Sequence, residues 1–185
     1  MASTLGIALS GNLFTFLIFY EMLTLSTYPL VVHSGTAKAL AAGRVYLRYT
    51  LTGGVVLLLG GVLLYSLTGD HSFASERGLS PYLADHRGLL TLIFVLLVGG
   101  LAVKAAMVPL HGWLPRAMVA PAPVSALLHA VAVVKAGAFG ILRVIYDLYG
   151  IELSVELGVT TALAIAASIT IIYGSLRAIA QQELK

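Results

Sequence analysis

Five runs of apolar residues, near 11–32, 45–68, 89–108, 124–148 and 155–180, dominate the pattern of the chain. Each is roughly 20 residues or longer, the length that carries a helix across a hydrocarbon layer about 30 Å thick. The runs are continuous and do not alternate apolar with polar positions, as the strands of a membrane barrel do. The pattern therefore predicts an all-α fold, a polytopic helical membrane bundle with five transmembrane helices. Residues 1–10 are too few to span and lack the basic start and small-residue cleavage site of a signal peptide. They are expected to be the end of a sixth helix or a surface piece, with the start truncated.

No repeat, low-complexity tract or soluble domain interrupts the spans, so one membrane domain, or part of one, is expected. The longest polar stretch, GDHSFASERGLSPYLADHRG, carries Gly, Ser and Pro as punctuation and suits an interfacial turn without chemistry. Composition agrees, since 59% of the 185 residues are hydrophobic and 10% are charged. A soluble domain could not hide that much apolar surface. Cysteine is absent, which removes disulfides, cysteine-ligated iron–sulfur clusters and thiolate metal sites.

The net charge of +3 is modest and the basic residues form no nucleic-acid footprint. Their distribution orients the bundle. Lys38, Arg44 and Arg48 in the 33–48 connection, and Arg116 in the 109–123 connection, stand without acids and face the cytoplasm by the positive-inside rule. The opposite connections carry Asp70, Glu76 and Asp85 mixed with Arg77 and Arg87, then Asp147, Glu152 and Glu156. Arg177 and Lys185 return to the cytoplasmic side.

Glu21, Lys104 and Lys135 are ionisable residues placed deep inside the apolar runs. Such groups cost at least a few kcal/mol at membrane depth and mark ion or proton pathways. Thr24 and Tyr28 fall on the helix face of Glu21, a stripe that can hold water or a partner. The structural alternative is a cluster that only solvates one buried carboxylate.

Around Lys104 the pattern changes, because Pro109, Pro115, Pro121 and Pro123 crowd a short stretch. Proline lacks an N–H and clashes with the preceding turn, so the helix is predicted to break near Val108. Interrupted helices at membrane depth line cavities or are buried by neighbours. The rival reading of Lys104 is snorkelling, with its ammonium at the cytoplasmic interface. His111 reads as a turn residue and Trp113 as an interfacial anchor.

The next span sets Ser125, His129 and Lys135 on a face about 120° wide, with Arg143 returning to the Ser125 direction. His129 and Lys135 are about 9 Å of rise apart, so a proton passing between them needs side-chain extension or water. Histidine suits a relay because its unperturbed pKa, about 6.5, allows both states near neutral pH. A lone His there more often makes an interhelical hydrogen bond. No second His, Asp or Glu stands three or four residues from His129, so no metal site is expected.

The stretch VKAAMVPLHGWLPRAMVAPAPVSALLHAVAVVKAGAFGILR resembles the central motif of the antiporter-like membrane subunits shared by respiratory complex I, membrane-bound hydrogenases and Mrp-type cation/proton antiporters. FYEMLTLSTYPLVVH resembles the preceding family helix with its glutamate, and looks more like the Mrp branch. YGSLRAIAQQELK resembles a later helix end. The resemblance implies about fourteen helices in the family, built as two inverted five-helix repeats. This chain would hold the end of the fourth helix and the fifth to ninth, thus most of the first repeat and the opening helix of the second.

Carried over residue by residue, the resemblance makes Glu21 the carboxylate that modulates a neighbouring lysine, Lys104 that lysine, and His129 with Lys135 the central relay; it implies that Glu21 and Lys104 approach across adjacent helices, facing the bundle interior. Pro109 marks the helix break. It implies proton translocation within a hetero-oligomer of membrane subunits in a prokaryotic plasma membrane, with sodium or potassium as possible exchanged cations. The alternatives are a pumping subunit of a complex I-like NADH:quinone oxidoreductase or hydrogenase, and a structural subunit that moves nothing. No redox cofactor site is expected in this chain.

Overall fold

The computed structural model describes residues 1–70, 72–73 and 79–181; Glu76, Arg77 and Lys185 lie outside the described residues. The described chain is helical throughout, with no strand among these residues beyond a single bridge between Asn12 and Ser72. The helices are α1 (Ala2–Leu9), α2 (Leu13–Val31), α3 (Ala37–Thr68), α4 (Leu83–Lys104), α5 (Trp113–Ala117), α6 (Ala122–Ala126), α7 (Val133–Arg143), α8 (Ile151–Glu156) and α9 (Val159–Ile179). Five segments are long and apolar enough to cross a membrane: Leu13–Val31, Ala37–Thr68, Ser80–Lys104, Ala122–Tyr149 and Val159–Ile179. The expected multi-pass bundle is thus present.

Local chemistry explains the helix starts. The Asn12 side chain accepts from Thr15 N (2.7 Å) and that of Thr36 from Ala39 N (3.2 Å), so each satisfies one orphan amide of a first turn. Capping at Thr36 starts α3 about two turns before the expected position 45. Lys38, Arg44 and Arg48 are therefore exposed on helix and not on a loop. Its 32 residues span about 48 Å, longer than a hydrocarbon core, which leaves the basic turns at the membrane surface.

The core sits between α2, α3, α4 and α7, around Phe16, Tyr20, Leu57, Leu97, Leu101 and Val133. Paired glycines set the α3–α4 distance. A Cβ at Gly53 would lie 2.9 Å from Gly100 O, and one at Gly60 would lie 2.9 Å from the Leu97 side chain. Gly61 faces Leu13 of α2 instead, and Gly99 faces open space. Close backbone approach of this kind replaces the hydrophobic drive that lipid removes. By contrast α9 is exposed along most of its length.

Candidate functional site

Lys104 is the last residue of α4, and the helix ends there, four residues before the expected Val108. The reason is a left-handed turn at Ala106 (φ 55°). Met107 N donates to Ala102 O (3.0 Å) and Ala106 N to Val103 O (3.1 Å), the paired bonds of a Schellman closure with alanine in the place usually held by glycine. Pro109 prevents a restart, since it has no N–H to continue the ladder. The chain then makes a tight turn at Leu110–Gly112 and resumes as α5.

Trp113 holds the two sides of this break together. It is fully buried, its indole Nε1 donates to Val103 O (2.7 Å), and its ring packs on Tyr46 of α3 at 5.3 Å. The expectation of an interfacial anchor is corrected: the indole N–H finds its partner on a helix end freed by the break, which makes full burial possible. His111 lies in the turn as expected and packs edge-on against Tyr173 of α9, while Val108 N donates to Thr170 Oγ1 (3.1 Å) one turn earlier. The break is therefore docked on α9.

Lys104 has no exposed surface, so snorkelling is excluded. Its ammonium lies 3.7 Å from Glu21 Oε1, donates to the Tyr20 backbone carbonyl, and sits 3.3 Å from the centre of the Tyr20 ring. Direct approach of Glu21 and Lys104 across α2 and α4 is as expected. Both Glu21 oxygens are buried and accept no hydrogen bond from a described residue. Gly54 of α3 makes room for them, because a Cβ there would lie 2.8 Å from Glu21 Cδ. Thr24 is fully buried beside this stripe, and Thr27 shares a 2.7 Å hydroxyl contact with Tyr46.

The proposed seam on the following span is divided. Ser125 turns inward and donates to Ala120 O (3.0 Å), whereas the side chains of His129 and Lys135 lie on the exposed side and make no hydrogen bond or ion pair with another described residue. A π-helical turn over Leu127–Val131 and a distorted Ala132 reset the phase that a regular helix would keep. Arg143 is engaged at the other end, donating to Ser10 O (3.2 Å), covering Phe73 and pairing with Asp147. Gly137 seats α7 on the end of α4, where a Cβ would lie 2.8 Å from Leu101 O. The structure thus joins Glu21 and Lys104, and leaves His129 and Lys135 facing outward from an adjoining helix.

Sequence reasoning missed Tyr20, whose carbonyl and ring both meet Lys104. An aromatic residue immediately before a buried acid was the available signal.

The sequence matches the family described as NADH:quinone oxidoreductase/Mrp antiporter, transmembrane, over residues 10–185. The chain belongs to this family. It is 35% identical, along its whole length, to a Staphylococcus aureus (strain JH9) protein named as an antiporter subunit, mnhA2, of which it spans 22%. Among solved structures it resembles the Mrp complex from Dietzia sp. DQ12-45-1b, with a TM-score of 0.68 at 31% identity over 77% of this chain and 27% of that one. Respiratory complex I from Thermus thermophilus gives 0.76 at 29% identity, over 99% of this chain and 38% of that one. An archaeal membrane-bound sulfane sulfur reductase gives 0.79 at 26% identity, over 97% and 36%.

Proposed function

We propose that the chain is part of the proton-conducting membrane domain of an Mrp-type cation/proton antiporter, and that it carries most of the first inverted repeat with α9 opening the second. The observation that carries this reading is the buried Glu21–Lys104 pair at the broken end of α4. A carboxylate and an amine held together out of water can bind and release a proton as their separation changes. Family membership fits this reading, and the 35% identity to an antiporter subunit favours the Mrp branch. In this reading protons pass from the Glu21–Lys104 pair towards His129 and Lys135, bridged by water, and other membrane subunits complete the route in a prokaryotic plasma membrane. The exchanged cation would be sodium or potassium.

A second reading is a pumping subunit of a respiratory complex, with redox chemistry in other chains. The likeness to the sulfane sulfur reductase and complex I chains over 97% and 99% of this chain favours it.

The test is cation-driven pH change in everted membrane vesicles carrying the assembled protein, with abundance followed by immunoblot. Lys104→Ala and Lys135→Ala are expected to abolish most transport. Glu21→Asp should retain part of it, and His129→Ala should be milder if water bridges the gap. Wild-type rates in both lysine variants at equal abundance would reject the relay and leave a structural role.

A further inference from the structure

We propose that Tyr20 is a positioning residue for Lys104, holding the ammonium in place by its backbone carbonyl and ring face while the Glu21 pair opens and closes. The inference rests on the relay reading above.

Tyr20 and Glu21 are adjacent, about 100° apart around α2, and the ammonium enters the notch between them. Its contacts there are unequal. It donates a hydrogen bond to the Tyr20 carbonyl and sits 3.3 Å from the ring centre, well inside the roughly 6 Å reach of a cation–π contact. Glu21 lies at 3.7 Å and its oxygens accept no hydrogen bond from a described residue. The ring is itself fixed: it is fully buried, stacks on Phe16 at 5.6 Å, and its hydroxyl donates to Gly100 O (3.3 Å). It therefore cannot swing away with the lysine.

The two partners differ in chemistry. Glu21 can take up a proton and cease to attract the ammonium, whereas a peptide carbonyl and a π face do not titrate in the working range. Their hold is the same in every protonation state of Glu21. A lysine tethered this way keeps one location in the bundle while it is protonated, and only its carboxylate partner varies.

The ring's share can be measured with substitutions that alter its electrons and hardly its size. Tyr20→Phe, Tyr20→Leu, and phenylalanines carrying one, two or three fluorines at position 20 would be compared in the vesicle assay beside Lys104→Ala. Fluorine draws charge from the ring face. Tyr20→Phe lacks the hydroxyl bond to Gly100 O and is the baseline of the series, from which transport should fall stepwise with each fluorine. Trifluorophenylalanine and Tyr20→Leu should end about 30-fold down, the equivalent of a desolvated cation–π contact of about 2 kcal/mol. A flat fluorine series alongside an inactive Lys104→Ala would overturn the Tyr20 role and leave the relay standing. An active Lys104→Ala would remove both.

Discussion

The Trp113 indole donates to the carbonyl of Val103, ten residues earlier, so the segment after the break is tied to the last turn before it. The same carbonyl also accepts from Ala106 N in the helix closure. One oxygen thus anchors both the end of α4 and the start of α5.

Trp113→Phe should keep the ring contact with Tyr46 but lose the hydrogen bond and part of the indole's volume. Because Val103 O retains its Ala106 partner, the lost bond itself should cost about 1 kcal/mol and not the larger penalty of an orphaned buried group, with a smaller void adding to it. Trp113→Ala should cost about 3–5 kcal/mol through the cavity it opens. Unfolding in detergent, followed by circular dichroism, measures both. Equal losses for the two variants would contradict the assignment.

At Ala106 two effects oppose one another. A left-handed conformation costs an L-residue roughly 1–2 kcal/mol, which glycine escapes. Removing the largely buried methyl forfeits about 0.8 kcal/mol. Ala106→Gly should therefore be neutral or stabilising by up to about 1 kcal/mol, whereas Ala106→Val, stiff at its branch, should be destabilising. The same unfolding measurement decides the order.

The Glu21–Lys104 pair should be non-additive. Breaking a fully buried pair costs about 3–5 kcal/mol, and an exposed one contributes less than about 1 kcal/mol. Glu21 is 26% exposed, so Glu21→Gln and Lys104→Met should each fall between those limits. The double variant should cost less than the sum of the two, because neither charge is left alone. A double-mutant cycle on unfolding free energy reads the coupling directly; strict additivity would show that the two groups do not interact.

The five spans were legible because continuous apolar runs of that length have few other uses. The break was legible from Pro109, yet its position was not. Proline rules locate what cannot continue a helix, while the actual end was set by Ala106 turning left-handed in a packed environment. The start of α3 was misplaced because Lys38, Arg44 and Arg48 suggested a loop, although basic residues are good helix formers and Thr36 supplies a cap. Approach of Glu21 and Lys104 followed from the family resemblance, in which that carboxylate modulates that lysine. The divided seam of Ser125, His129 and Lys135 did not follow, since a π-helical turn shifts phase without a sequence signature that periodicity detects. Trp113 was read as an interfacial anchor and Tyr20 was missed because their partners, Val103 O and the Lys104 ammonium, come from other parts of the chain.

Two glycine substitutions separate the site from the general packing of α3 and α4. Gly54 faces the Glu21 carboxyl, and the methyl of Gly54→Ala would meet Glu21 Cδ at 2.8 Å, so the carboxylate must move away from its present place. Gly99 has nothing within 4 Å of its missing methyl. Both changes raise helix propensity by about 1 kcal/mol, so any difference between them comes from the site. Gly54→Ala should lower cation-driven proton transport in vesicles at least several-fold, and Gly99→Ala should leave it unchanged, with both proteins inserted at wild-type abundance. A partial rescue is expected on combining Gly54→Ala with Glu21→Asp, whose shorter side chain withdraws the carboxylate by about one methylene from the new methyl. If Gly54→Ala transports like the wild type, the position of Glu21 against α3 does not matter for coupling.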